Sequence, residues 1–409
     1  MLVFLAACGQ SARLASRPFT LTPTPPQPVA TLSAASVATA HAYLAALASS
    51  RQHRLLEQAA NWYLSRMSLD AQLGQMLVNE SDGTNFSQDM ATMIQRQHIS
   101  GFILFSDNYG TYAQITALTR QMQASASIPL YICTDQEGGY ITRISQYFGW
   151  FPSPRELANT GNVKNAYDAG VRTGRDLQEL GINTDFAPVV DVSLNGGGVW
   201  GPLRTFSTDP QVVARYASAY VQGLQATGTA SALKHFPGLG AATSDPHTSL
   251  PIIYRTAAQF RQSDLVPYQA LIPQGPDMIM STDVLVPSVD PTYPAELSKK
   301  WITGVLRQQL GYDGVVVTDA LWMKGISQRW GLPEAAILAV EAGDDLLIAA
   351  YNASASQAVL DGLKAAIASG RISTARIQES VRRILYDKIA RGFLPIPSAV
   401  LAATPHMNP

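Results

Sequence analysis

From about Ala59 onward, short apolar runs alternate with amphipathic helical patterns, and this alternation limits the fold more than any single residue does. Strand-like runs separated by helices argue for repeated β-α units and a parallel sheet. Eight such runs fall near residues 74–78, 101–105, 130–134, 184–187, 230–233, 278–281, 315–318 and 346–349. The intervening segments carry helix punctuation. Asp209 reads as a cap with Pro210 at the first helical position, and Val213, Ala217, Tyr220 and Leu224 share one face. Ser298 likewise opens a helix that Gly311 closes. Residues 356–369 and 375–389 then read as closing helices. Eight strands with helices between them predict a single (β/α)8 TIM-type barrel, whose reactive residues gather at the C-terminal strand ends. Asp135, Lys234 and Asp319 each stand at such an end. Burying any of them unpaired costs several kcal/mol, so one shared mouth explains all three.

The bulk properties fit this reading. With 46% hydrophobic residues over 409 positions the chain can fill a large core, and 29 basic against 30 acidic residues imply no broad attraction to nucleic acid. Cys8 and Cys133 are the two cysteines, too few and too differently placed for a disulfide framework. Cys133 sits in an apolar strand pattern and reads as a core thiol. Residues 5–9, Leu-Ala-Ala-Cys-Gly, resemble a bacterial lipobox in which Cys8 is lipidated, although the apolar run before it is short and lacks lysine or arginine. Proline, threonine, serine and alanine dominate the segment after Cys8, with Pro23, Pro25, Pro26 and Pro28 close together. Such a segment predicts an extended, disordered tether. The expected organisation is a signal remnant over 1–8, a tether over 9–50, the barrel over 51–398 and a tail over 399–409. No stretch reaches the roughly 18 apolar residues a spanning helix needs. The expected location is therefore extracytoplasmic, secreted or held at the membrane by the lipid alone.

The chemistry concentrates in the segment from Lys234 to His247, Lys-His-Phe-Pro-Gly-Leu-Gly-Ala-Ala-Thr-Ser-Asp-Pro-His. Asp245, two residues before His247, can hold one ring nitrogen while the other handles a substrate proton. As ordinary local structure, Ser-Asp-Pro makes a turn. Downstream, residues 314–319, Gly-Val-Val-Val-Thr-Asp, form a strand of β-branched residues that delivers the Asp319 carboxyl. Asp319 could instead cap the next helix. A metal site from His235, Asp245 and His247 lacks a short ligand spacing, and the chain has six histidines in all.

Lys234 to Gly240 followed by Asp245-Pro246-His247 resembles the signature of the β-N-acetylglucosaminidase branch of glycoside hydrolase family 3. Four further blocks, residues 135–139 with Arg143, residues 185–191, residues 204–206 and residues 314–319, are similar to family blocks and follow the family's order. The resemblance spans residues 60–395. It implies a retaining β-N-acetylhexosaminidase that acts on terminal N-acetylglucosamine, with Asp319 as nucleophile and His247, oriented by Asp245, as acid/base. It also implies that Asp135, Arg143, Arg204, Lys234 and His235 bind the sugar, and that Glu137 is structural. No cofactor and no metal are expected, and the protein is expected to be a monomer with a glycan as its partner. Two-domain family members take a carboxylic acid/base from a second domain, whereas here a loop histidine fills that part. The sequence departs from the family at Tyr140, where many relatives have arginine, at Pro246, which replaces serine or threonine, and at Thr282-Asp283, which replaces Ala-His. A β-glucosidase or a phosphorylase of the same family is an alternative, as is a non-catalytic wall-binding lipoprotein.

Overall fold

The computed structural model describes residues 50–194 and 201–403. Cys8 and nearly all of the expected tether lie outside the described residues. Ser50, placed at the tether's end by the sequence, is already helical, as are residues 51–64.

Eight parallel strands close into a barrel in sequence order: β1 (Leu77–Asn79), β2 (Gly101–Ile103), β3 (Tyr131–Thr134), β4 (Thr184–Asp185), β5 (Ala230–Phe236), β6 (Met278–Ser281), β7 (Val315–Ala320) and β8 (Leu346–Ile348). The ring is completed by β1 on β8, with Leu77 opposite Leu347 and Val78 opposite Ile348. Helices cover the outside, so the strands are buried on both faces and read as continuous apolar runs rather than alternating ones.

Of the boundaries that differ from the sequence expectation, three bear on packing or on the site. Gly74 and Gln75 end the preceding helix, Leu69–Gly74, instead of starting β1. A side-chain carbon at Gly74 would fall 2.0 Å from the Gln97 carbonyl oxygen, so glycine marks a close helix contact there. β5 runs on through Lys234, His235 and Phe236, and β7 runs on through Asp319 and Ala320, because parallel pairing continues past the last apolar residue. Asp209 and Pro210 open the helix Pro210–Gln225 as predicted. Ser298 caps less directly: its hydroxyl donates to Asp290 at 2.7 Å, and the helix Lys300–Gln309 that follows has π-type hydrogen bonding. The closing helices are Ala353–Ala368 and Thr374–Ala390, and Ser398–Ala403 forms a short helix where a tail was expected. Among the described residues no helix is long and apolar enough to cross a membrane.

Candidate active site

Five of the eight strands, and the residues directly after two more, line one cavity of about 390 Å³ at the C-terminal mouth of the barrel. Ile103, Met280 and Ile348 of β2, β6 and β8 floor it, while Asp135 after β3, Lys234 and His235 in β5 and Asp319 in β7 supply its polar wall. Arg143 and His247 reach the same cavity from loops, and Arg204 from the end of the short helix Gly201–Arg204. Every residue expected to bind sugar therefore lines one space. Asp245 stands behind His247 instead of lining the cavity.

Two buried cations and two carboxylates form one cluster on one side. Lys234 Nζ lies 2.5 Å from Asp135 Oδ1 and 2.7 Å from Glu137 Oε1. Arg204 grips Glu137 with two parallel bonds, Nε to Oε2 at 2.7 Å and Nη2 to Oε1 at 2.6 Å. Burial pushes the Glu137 carboxyl up, yet Arg204 and Lys234 outweigh it and hold the group well below the usual carboxylate range. Burial likewise disfavours the Lys234 ammonium, but Asp135 and Glu137 keep it charged. Glu137 is thus the anchor of the two cations, in keeping with the structural part expected of it, and removing it would leave buried charge unpaired.

His235 is fixed from behind. Its Nδ1 lies 2.7 Å from Asp191 Oδ2, and because an ionised carboxylate can only accept, Nδ1 carries the proton in that contact. Asp191 Oδ1 also accepts the Leu239 N–H at 2.8 Å, tying the ring and the following turn to one carboxyl.

The loop bearing His247 is pinned at two points. Gly240 lies so close to the segment after β4 that a side-chain carbon would fall 1.7 Å from the Val192 carbonyl oxygen, and its own carbonyl accepts the Leu194 N–H at 2.9 Å. Farther along, the Pro246 carbonyl accepts the Gly325 N–H at 3.1 Å, which ties the loop to the segment after β7. Between these points Asp245 Oδ1 accepts the backbone N–H of His247 at 2.9 Å and contacts its Nδ1 at 2.8 Å. The Asp245 carbonyl meanwhile accepts from Thr248 and Ser249, so the turn and the ring support coexist in the same residues. The His247 side chain is 65% exposed.

Asp319 belongs to β7 and caps no helix, since the next one starts at Lys324. Both of its oxygens have donors: Oδ1 accepts the Ala320 N–H at 2.9 Å and Oδ2 accepts the Thr282 hydroxyl at 3.1 Å. No group of three or more metal-ligating side chains with a geometry for a metal ion occurs among the described residues.

Known proteins resemble this chain over most of its length. Residues 68–386 match the model of the glycosyl hydrolase family 3 N terminal domain. The chain belongs to glycosyl hydrolase family 3. A family relative, the β-hexosaminidase of Tolumonas auensis, is 34% identical over 291 residues, covering 70% of this chain and 86% of the relative. The solved β-N-acetylglucosaminidase of this family from Paenibacillus sp. str. FPU-7 superposes with a TM-score of 0.78 at 36% identity, over 83% of this chain and 68% of that one. A family member from Mycobacterium smegmatis gives a TM-score of 0.73 at 33% identity, over 79% of this chain and 98% of its own. The protein is accordingly a glycoside hydrolase.

Several cavity or supporting residues were not singled out by the sequence. Asp191 depends on a partner 44 positions away, so no local spacing reveals it. Glu80 lines the cavity just beyond β1. Burial, with Asp82 and Asp107 nearby, pushes its carboxyl up to about 7. Its signal was a charged residue one polar position past an apolar run, the same signal Asp135 gives. Trp322 and Met323 add an apolar wall beside Asp319.

Proposed function

We propose that this β-N-acetylhexosaminidase removes terminal N-acetylglucosamine with retention of configuration, using Asp319 as nucleophile and His247 as acid/base. The observation that carries this reading is the division of labour at the mouth. A strand-held carboxylate and a loop histidine, its Nδ1 engaged by a carboxylate, open on one cavity whose remaining polar groups are fixed. Asp319 attacks the anomeric carbon while the His247 imidazolium gives a proton to the departing oxygen. His247 then takes a proton from water, whose oxygen bonds to that carbon as Asp319 is released. An imidazole exchanges protons near neutrality, and Asp245 keeps the ring oriented through both half-reactions. Asp135, Lys234, His235, Arg143 and Arg204 hold the sugar's hydroxyls so that the reacting atoms meet in line.

Two of the three cavity cations, Lys234 and Arg204, are neutralised by Asp135 and Glu137. That balance supports water, and not a phosphate dianion, as the acceptor. Matched aryl β-N-acetylglucosaminide and β-glucoside substrates test the glycone: the first should be cleaved far faster, and equal rates would refute the N-acetyl preference. His247→Ala should lose much more kcat/KM on an unactivated disaccharide than on a dinitrophenyl glycoside, because an activated phenolate departs with little protonation and kcat/KM reports the first half-reaction. Equal losses on the two would return His247 to a binding part.

A further inference from the structure

Behind Asp319 lie buried acids that none of these steps uses. Asp283, just past β6, and Glu296, in the short turn Ala295–Leu297, are both fully buried, as is Asp344 before β8. Ser281 donates to Asp344 Oδ1 at 2.7 Å, while Asp344 Oδ2 and both Glu296 oxygens have no hydrogen-bond partner among the described residues. Asp283 differs from both in sharing a hydroxyl with Asp319. Its Oδ2 has no hydrogen-bond partner among the described residues and packs against Gly325, where a side-chain carbon would fall 2.1 Å away. Its Oδ1 lies 3.4 Å from Thr282 Oγ1, and the same Thr282 hydroxyl lies 3.1 Å from Asp319 Oδ2.

A hydroxyl has one proton to give. The shorter contact, to the cavity-facing carboxyl of Asp319, takes it, and on its Thr282 side an ionised Asp283 would then face lone pairs, with its own backbone N–H as the remaining donor. The contact is favourable when the proton sits on Asp283. Burial, reinforced by the Asp319 charge, holds the Asp283 carboxyl well above the ordinary range, which keeps it protonated. Glu296 is raised for the same first reason, so no second buried negative charge competes.

We propose that Asp283 and Thr282 form a relay of positioning residues behind the nucleophile, in which the Asp283 carboxyl donates to Thr282 Oγ1 and Thr282 donates to Asp319 Oδ2. The inference rests on Asp319 being the nucleophile. Its consequence falls on the second half-reaction. When the bond between the anomeric carbon and Asp319 breaks, the electron pair returns to the carboxylate, water oxygen bonds to the carbon and the water proton goes to His247. The relay protons stay where they are and stabilise the returning charge. In the first half-reaction the same hydrogen bond weakens as Asp319 loses its charge, so the relay gives little help there.

Steady-state kinetics on a dinitrophenyl substrate, for which release of the glycosyl-enzyme limits turnover, separate this from a structural part. Thr282→Val should lower kcat about tenfold or more and lower KM with it, leaving kcat/KM within a few fold. Thr282→Ser should restore kcat. Asp283→Asn keeps a donor and should lose less than Asp283→Leu, and in the Thr282→Val background Asp283→Asn should add nothing. A fall in kcat/KM as large as that in kcat, with KM unchanged, would overturn the relay, as would an Asp283→Asn loss equal to that of Asp283→Leu. Labelling of the wild-type enzyme by a fluorinated sugar checks the underlying reading separately: a label away from Asp319 sinks the nucleophile, whereas a label on Asp319 with unaltered Thr282→Val kinetics sinks the relay alone.

Discussion

The two ends of the barrel spend their charges differently. At the N-terminal end Asp345, directly before β8, accepts from Arg307 at 2.5 Å, from Arg376 and Arg383 at 3.3 Å each, and from the Ser380 hydroxyl at 2.7 Å. Burial pushes its carboxyl up, but the three guanidiniums pull it down to about 2. Asp277, before β6, is likewise paired with Arg391. At the C-terminal end Asp319 and His247 face a cavity, and the buried Arg143 Nε has no partner among the described residues. One end closes its charges on themselves and holds the helices to the strands. The other keeps charged groups directed at a ligand, which is what differential stabilisation of a transition state requires.

Substitutions at each end can break this division. The largest effect is expected for Asp319→Ala at the mouth, a loss of kcat of about 10⁴-fold or more, with the unfolding midpoint nearly unchanged because few contacts are removed. A destabilisation as large as that of the next variant would show that the mouth is also structural. Asp345→Ala should cost about 3–5 kcal/mol in urea unfolding, since three arginines would be left around a vacated carboxyl, while kcat of the folded fraction stays near wild type. A collapse of kcat without loss of stability would reverse the assignment of the ends.

The smallest effect sharpens the comparison through pH. Lys388 sits at the N-terminal end, donating to the Ser100 carbonyl and Gln75 at 3.1 Å each, and burial pulls its ammonium from 10.5 down to about 7. Between those values the unfolded chain holds the extra proton, so this group's contribution to stability is present at high pH and is lost as pH falls toward 7. Stability measured at pH 7.5 and 9.5 should rise with pH from this source by at most about 1.4 kcal/mol per unit, and Lys388→Met should flatten the rise. An unchanged slope in the variant would mean that Lys388 does not titrate there.

The barrel was legible because its strands are buried on both faces and each stands out as an apolar run. The reading stopped short where polar residues continue a strand: β5 extends through Lys234 and His235, residues that resemble loop chemistry because the site needs them polar, whereas the strand delivering Asp319 was read and runs one residue further. That Asp135, Arg143, Arg204, Lys234, His235 and Asp319 gather at one cavity was legible through motif order. Their supports were not, since Asp191 behind His235 and Thr282 behind Asp319 are chosen by contacts between separate strands. Asp283 was visible as a departure, but that it is buried follows only from the packing of Gly325 against it.

The hydrophobic floor of the cavity, Ile103, Met280 and Ile348, gives the enzyme a limit of supply. Under the proposed removal of terminal residues, a pocket stopped at the bottom takes the tip of a glycan. Such an enzyme counts molecules where one with an open cleft would count bonds. A given mass of long glycan offers few tips, and each cut creates a new one only where it consumed the last. Any second activity that severed the same polymer internally would multiply the tips and raise the rate of this one, with no change in either protein.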